Sequence, residues 1–171
     1  MVSFGVWENT VFKGTVIFSR GASSNIHKPF GLKITEIAEL TRVALTTHET
    51  HVSKIISVCL KLLRIKEPSI KLIVSYADPN HNHLGKIYQA SNWIYLGKTN
   101  KTEKFIDRTG RIWHSRQVKA NGITRQFGQT RAGPKRSECG RLIELPKHKY
   151  AYPLNQQMRD QLLKRAKPFP K

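Results

Sequence analysis

Acidic residues are scarce in this chain. Eleven Asp and Glu stand against 30 Lys and Arg in 171 residues, a formal charge of +19, which exceeds anything solubility requires and points to a polyanion as partner. Cysteine is nearly absent. Cys59 and Cys139 alone exclude a disulfide framework and a four-ligand zinc site. No run approaches the roughly 18 apolar residues of a membrane span, and the N-terminus lacks the basic-then-apolar order of a signal peptide. The expectation is a soluble, cytoplasmic protein with no membrane partner.

What is present is ordinary for a folded chain: 39% hydrophobic and 24% charged residues, enough for one domain with an appendage. The charge is uneven. Residues 1–97 hold 11 basic and 6 acidic side chains, whereas residues 98–171 hold 19 and 5, so the division expected is a core over 1–97 and a basic segment over 98–171, packed on it, that carries most of the polyanion-binding charge. Phe105, Trp113, Phe127, Tyr150 and Tyr152 interleave with those basic residues, a pattern that combines phosphate contacts with stacking on bases. The plainer alternative is a solvated basic tail of the ribosomal-protein type.

Val2 to Trp7 and Val11 to Phe18, separated by Glu8-Asn9-Thr10, read as a hairpin. Ser19 to Gly31 reads as a long loop. Glu36 to Leu45 alternates, with Ile37, Glu39, Thr41, Val43 and Leu45 on one face and Ala38, Leu40, Arg42 and Ala44 on the other, which predicts a strand. Val52, Ile55, Ile56, Cys59, Leu60 and Leu63 have the spacing of a one-faced helix, with Thr50 placed to cap it. Lys71 to Tyr76 then completes a strand-helix-strand unit with parallel strands. A short helix over about Leu84 to Ser91, a strand over Trp93 to Leu96, irregular or short β structure over 98–146 and a last helix over about Leu154 to Ala166 follow.

This order resembles the GNAT superfamily of acyltransferases, and the segment from Gly85 to Gly97 resembles its late helix-to-strand motif. A more specific set of phrases resembles the Mom family of phage DNA-modification proteins over nearly the whole chain: Phe4-Gly5-Val6-Trp7, Ile17-Phe18-Ser19-Arg20-Gly21-Ala22, Lys28-Pro29-Phe30-Gly31-Leu32, Glu39-Leu40-Thr41-Arg42-Val43-Ala44-Leu45, Ser75-Tyr76-Ala77-Asp78-Pro79, Ile87-Tyr88-Gln89-Ala90-Ser91-Asn92-Trp93 and the Tyr-Pro-Leu at Tyr152. The resemblance implies a mixed α/β, GNAT-like acyltransferase fold with a mainly antiparallel sheet, flanking helices and a basic C-terminal extension. It also implies conversion of adenine in DNA to an N6-carbamoylmethyl form that shields phage DNA from restriction inside the bacterial host. Acetyl-coenzyme A or a related donor, and iron, are the cofactors it brings; double-stranded DNA is the partner, and the oligomeric state is left open, a dimer included. Members of that family carry a further region, with a His-Tyr pair, before the Phe-Gly-Val-Trp phrase, so the N-terminal part of the fold is expected to be missing here.

On the resemblance Asp78, Tyr88 and Arg42 fall at catalytic positions, and Ser53, Val43 and Thr50 at the cofactor. Asp78 ends a strand before Pro79, where a parallel sheet presents side chains to its ligand crevice; its plainer role is an Asx turn. Tyr88 matches the tyrosine that protonates a departing thiolate, against simple helix packing. Arg42, read as a buried strand charge, needs a partner, either a phosphate or a carboxylate. Ser53 lies where first-turn amides meet a pyrophosphate, or is an ordinary helix-start residue. The superfamily's Gly-rich turn is replaced by Thr46-Thr47-His48-Glu49-Thr50-His51, a departure that puts coenzyme A binding of the usual kind in question. His48, His51, His81 and His83 follow strand ends and form the candidate metal set, with surface histidines as the alternative. Arg20, Arg125, Arg131, Lys135 and Arg136 are the candidate phosphate contacts. An acetyltransferase acting on protein or small-molecule amines and a noncatalytic DNA-binding protein are the rival functions.

Overall fold

The computed structural model describes residues 1–21, 23–126 and 128–171, so Ala22 and Phe127 lie outside the described residues. Alternating apolar residues make the first hairpin, β1 (Val2–Glu8) and β2 (Val11–Ser19), antiparallel as expected. Asn9 and Thr10 close it with φ of 50° and 67°, the left-handed pair that matches the twist of two strands joined by a two-residue turn.

β3 (Ile37–Leu45) runs antiparallel to β2, and here the expected alternation fails. Ile17 opposes Arg42 and Phe18 opposes Leu40, which leaves Thr41 as an extra residue whose hydroxyl donates to the Ile17 carbonyl at 3.2 Å. Such a bulge exchanges the faces of a strand. Ala38 and Leu40 before it therefore pack into the same hydrophobic cluster as Val43 and Leu45 after it. Arg42 is turned out to solvent by the same step and, among the described residues, has no ion-pair partner, so the reading of a buried strand charge is corrected.

α1 (Val52–Lys66) buries Ile55, Ile56, Cys59, Leu60 and Leu63, the stripe expected from their spacing. Thr50 does not cap it. His51 holds the cap position without a side-chain bond, because the turn before the helix is tied elsewhere: the Thr50 amide donates to Glu8. β4 (Leu72–Ala77) then runs parallel to β3, followed by the one-turn α2 (Lys86–Gln89) and β5 (Ile94–Lys98).

The expected division at residue 97 does not hold for the last residues. β11 (His148–Pro153) inserts between β4 and β5, antiparallel to both, in a six-stranded sheet of order β1-β2-β3-β4-β11-β5. Tyr150 and Ala151 are fully buried at its centre, so this strand belongs to the domain's interior despite the basic sequence around it. α3 (Gln156–Leu163) follows and buries Met158 and Leu162. One cluster, under α1 and α2, joins Ile56, Leu60 and Leu63 to Tyr88, Trp93 and Tyr150; the other, under α3, joins Leu72, Val74 and Ile94 to Ile26 and Phe30.

The appendage is an insertion between β5 and β11. Residues 99–147 form a three-stranded sheet of β6 (Thr102–Ile106), β7 (Ile112–His114) and β10 (Gly140–Glu144), in order β10-β6-β7, and a separate hairpin of β8 (Ile123–Gln126) and β9 (Gln129–Ala132). The short β structure expected there is present. This lobe holds 12 Lys and Arg against 4 Asp and Glu.

Gly85, at the N-cap of α2, carries φ +79°, and a Cβ there would meet the Tyr150 ring at 2.4 Å. Gly85→Ala is expected to destabilise the fold by about 2 to 4 kcal/mol, from the left-handed backbone and overpacking together. Urea unfolding measures it; a change under about 0.5 kcal/mol, the size of a neutral surface substitution, would contradict this packing.

Candidate active site at the fork of the sheet

β3 and β4 pair only over Ile37–Glu39 and Leu72–Val74, although they are nine and six residues long. Past that point the strands part. At the first rung of the fork the Ser75 hydroxyl donates to the Leu40 carbonyl at 2.9 Å, and the Tyr88 hydroxyl lies 2.8 Å from Ser75 Oγ. A serine has one hydroxyl proton; with it committed to Leu40, Tyr88 is the donor to Ser75.

The Tyr88 ring packs against Trp93 and Tyr150, with centroids 5.0 and 5.1 Å away, and is 8% exposed. Burial raises its pKa, and the nearby Glu39 adds to the rise. The group is therefore a phenol that keeps its proton. Tyr150 donates to the Leu84 carbonyl at 2.5 Å and accepts from Gln89 Nε2 at 3.3 Å. Tyr95 Oη lies 2.8 Å from His148 Nδ1, and both side chains are buried. Burial, then Lys98, lowers the His148 pKa and holds the imidazole neutral.

The sequence carries no mark of a role for Ser75, Tyr95 and His148, and Tyr150, expected as a surface for base stacking, is instead part of the interior. The available signal was the alternation of His148, Tyr150 and Tyr152 with Lys149 and Ala151, a strand pattern inside a segment whose charge reads as surface.

Asp78 follows β4 directly. Its Oδ1 accepts from the Asn80 amide at 3.0 Å and from Asn80 Nδ2 at 2.7 Å, and its Oδ2 lies 2.9 Å from Lys147 Nζ. The Asx turn is thus formed. Burial works against ionisation, but the bonds from Lys147 and Asn80 outweigh it and hold the carboxyl at about 2. Asp78 lies three residues beyond Ser75, about 10 Å along a strand, and alternation directs it away from the face on which Ser75 meets Tyr88. The two groups share one strand end without touching.

The other candidates scatter. Val43 is half-buried against the α1 cluster, and the Ser53 carbonyl accepts the Ser57 hydroxyl at 2.8 Å. The Glu49 and Thr50 amides donate to Glu8 at 3.0 and 2.8 Å, which, with the Thr50 side chain, holds that carboxyl at about 2. An internal carboxylate thus sits on the amides where a Gly-rich turn would receive a pyrophosphate, and these residues do not fit coenzyme A in the usual manner. His81 and His83 have ring centroids 6.5 Å apart, but among the described residues no three His, Cys, Asp or Glu side chains assemble to hold a metal ion. The four-histidine set is not brought together, and no iron ligand set is formed by these side chains.

Arg20, Arg125, Arg131, Lys135 and Arg136 are all exposed, the last four in the lobe. Stacking platforms are fewer than expected. Phe105 and Tyr150 are buried and Tyr152 packs on the interior, while half-buried Trp113 carries Arg111 over its ring at 4.2 Å and donates Nε1–H to Asp107 at 2.7 Å. Phe127 lies outside the described residues. A cavity of about 420 Å³ opens in the lobe, lined by Phe105, Ala120, Arg136, Ser137, Cys139 and Arg141. No helix among the described residues is long and apolar enough to cross a membrane.

The profile of the Mom protein family matches residues 1–171. The methylcarbamoylase Mom of Escherichia phage Mu is 31% identical over 124 residues, covering 70% of this chain and 49% of that protein. The chain spans about half the length of this curated relative.

Lys147→Ala should raise the Asp78 pKa from about 2 toward its ordinary 3.8. The depressed carboxyl contributes stability that is complete above pH 3.8 and lost as pH falls toward 2, so the variant should also lose resistance to acid in that window. Carboxyl-resolved NMR titration reads both; an unmoved Asp78 midpoint would show that Lys147 does not set it.

Proposed function

The chain belongs to the Mom protein family, and from that premise we propose that it modifies phage DNA, converting adenine to its N6-carbamoylmethyl form and so shielding the DNA from restriction. The family match over the full chain carries this reading. The name of the phage Mu relative supplies the group transferred, and the basic lobe supplies a surface for a polyanion.

The adenine N6 lone pair is delocalised into the ring, so the amine needs an acceptor for its proton as the new bond forms. Within the duplex it is also stacked, and extrusion of the base is the general solution. Asp78, ionised well below neutral pH and fixed by Lys147 and Asn80, serves as a hydrogen-bond acceptor at the strand end. Tyr88, still protonated, serves as donor at the fork once its hydroxyl turns from Ser75 to the reacting group. The fork, the bulge in β3 and the helix between parallel strands support a GNAT-like core for the transfer. Neither coenzyme A nor iron is needed to assign these two roles.

Mass spectrometry of nucleosides from cells expressing the chain tests the activity. A modified deoxyadenosine is the expected result; unmodified DNA despite tight binding would leave a DNA-binding protein, and acyl transfer to amines without DNA would leave an acetyltransferase. Asp78→Ala should abolish the modified base with DNA affinity largely intact, and Tyr88→Phe should lower its rate by about 100-fold or more, the usual contribution of a positioned proton donor. Equal product from either variant removes that residue from the mechanism.

A further inference from the structure

We propose that the β8–β9 hairpin is a DNA-reading ribbon that enters the major groove and sets the sequence context in which the chain binds, with Arg125 meeting base edges. The proposal rests on the DNA reading above and assigns to this hairpin a task separate from phosphate attachment.

β8 and β9 pair only with each other, in a two-stranded sheet apart from both larger ones. Every residue of β9 is exposed, as are Ile123 and Arg125 on β8. Two strands alone are marginal in water, yet this pair is held firmly at its root. Gly133 N–H donates to the Gly122 carbonyl at 2.8 Å, Gly122 N–H to Lys119 at 3.2 Å, and Arg136 N–H to Lys119 at 3.0 Å, while the Thr124 hydroxyl reaches the Gln117 carbonyl at 3.4 Å. The root is clamped, Thr124 is buried, and Ile123, Arg125 and all of β9 are left exposed.

The surroundings are of one sign. From Arg108 to Ser137 the sequence holds 8 Lys and Arg and no Asp or Glu. Arg125 makes no ion pair among the described residues. Arg131 donates to Gln129 Oε1 at 2.9 Å, a contact that orients the guanidinium without neutralising it. In register, Arg125 stands opposite Thr130 and Arg131 opposite Thr124, so the two guanidiniums leave opposite faces of the ribbon; Thr124 is buried on Arg131's face, which leaves the face of Arg125 free for the groove.

Two strands lie about 4.8 Å apart, and the major groove, about 12 Å wide, admits such a ribbon with its side chains. An unpaired guanidinium there matches O6 and N7 of guanine. Phosphate contact falls instead to Lys119 and Lys135 at the root. Lys135 is exposed, and the Lys119–Lys135 bridge ties the two together. Arg136 is already drawn to Glu103 at 3.1 Å and over Phe105 at 5.1 Å.

The test uses the full chain, a library of randomised duplexes and dimethyl sulfate, which marks guanine N7 in the major groove. Wild type should enrich a preferred context and protect N7 within it. Arg125→Ala should lose the protection and weaken the preference by about tenfold or more, while Lys119→Ala with Lys135→Ala should keep the preference, bind all sequences more weakly and show a shallower salt dependence. Wild-type binding without N7 protection, or an unchanged pattern in the Arg125 variant, overturns the ribbon and leaves DNA binding standing. Failure to bind any duplex at low salt overturns the DNA reading and the ribbon with it. Equal affinity for duplex RNA also overturns the ribbon, since the A-form major groove is too deep and narrow to be read.

Discussion

The pairing of β11 between β4 and β5 is the constraint from which the other features follow. It brings the chain back across about 50 residues of basic insertion and buries Tyr150 and Ala151 completely. Because β11 begins at His148 opposite Ala77 and Lys98, the two ends of the lobe are joined at its base: Thr99 N–H donates to the Lys147 carbonyl at 2.8 Å, and Lys147 N–H to Thr99 Oγ1 at 3.0 Å. The same register sets Lys147 against Asp78 and His148 against Tyr95. A slip of one residue would exchange the faces of the strand and undo both contacts. The lobe is thus fixed to the sheet at the strand end where Asp78 stands.

The scarcity of acids has a structural counterpart, since most of the carboxylates among the described residues are already engaged. Glu36 meets Lys71, Asp78 meets Lys147, Glu144 meets Lys104, and Glu103 lies between Arg136 and Arg141. Glu8 and Asp107 serve backbone amides and side-chain donors instead. Exposed pairs of this kind add little to stability. Their effect is on the field: the acids neutralise the base of the lobe and the sheet, while Arg125 and Arg131 on the β8–β9 hairpin make no ion pair among the described residues.

How much of this was legible in the sequence depended on the range of the interaction. The β1–β2 hairpin, α1 and the parallel β3–β4 pair were readable because each is written in local periodicity. β11 was not, because His148, Tyr150 and Tyr152 acquire meaning only beside Ser75 and Tyr95, which lie far away in the chain. The bulge at Thr41 defeated the alternation rule, since one extra residue moves Arg42 from the interior to solvent without any change in composition. At the site, Asp78 and Tyr88 were marked by their place in recognisable phrases, whereas Ser75 looked like any strand serine. The histidines misled because sequence proximity to strand ends says nothing about convergence on one point.

Asp78 and Tyr88 have been driven in opposite directions by their surroundings. Lys147 and Asn80 keep the carboxyl charged far below neutrality, while burial among the rings of Trp93 and Tyr150 keeps the phenol protonated. Under the function proposed above, groups separated in this way take different tasks, acceptor for the one and donor for the other. The rings that bury Tyr88 also hold its hydroxyl 2.8 Å from Ser75 Oγ, so a substitution that loosens them would disturb the placement of that hydroxyl before it disturbed the sheet.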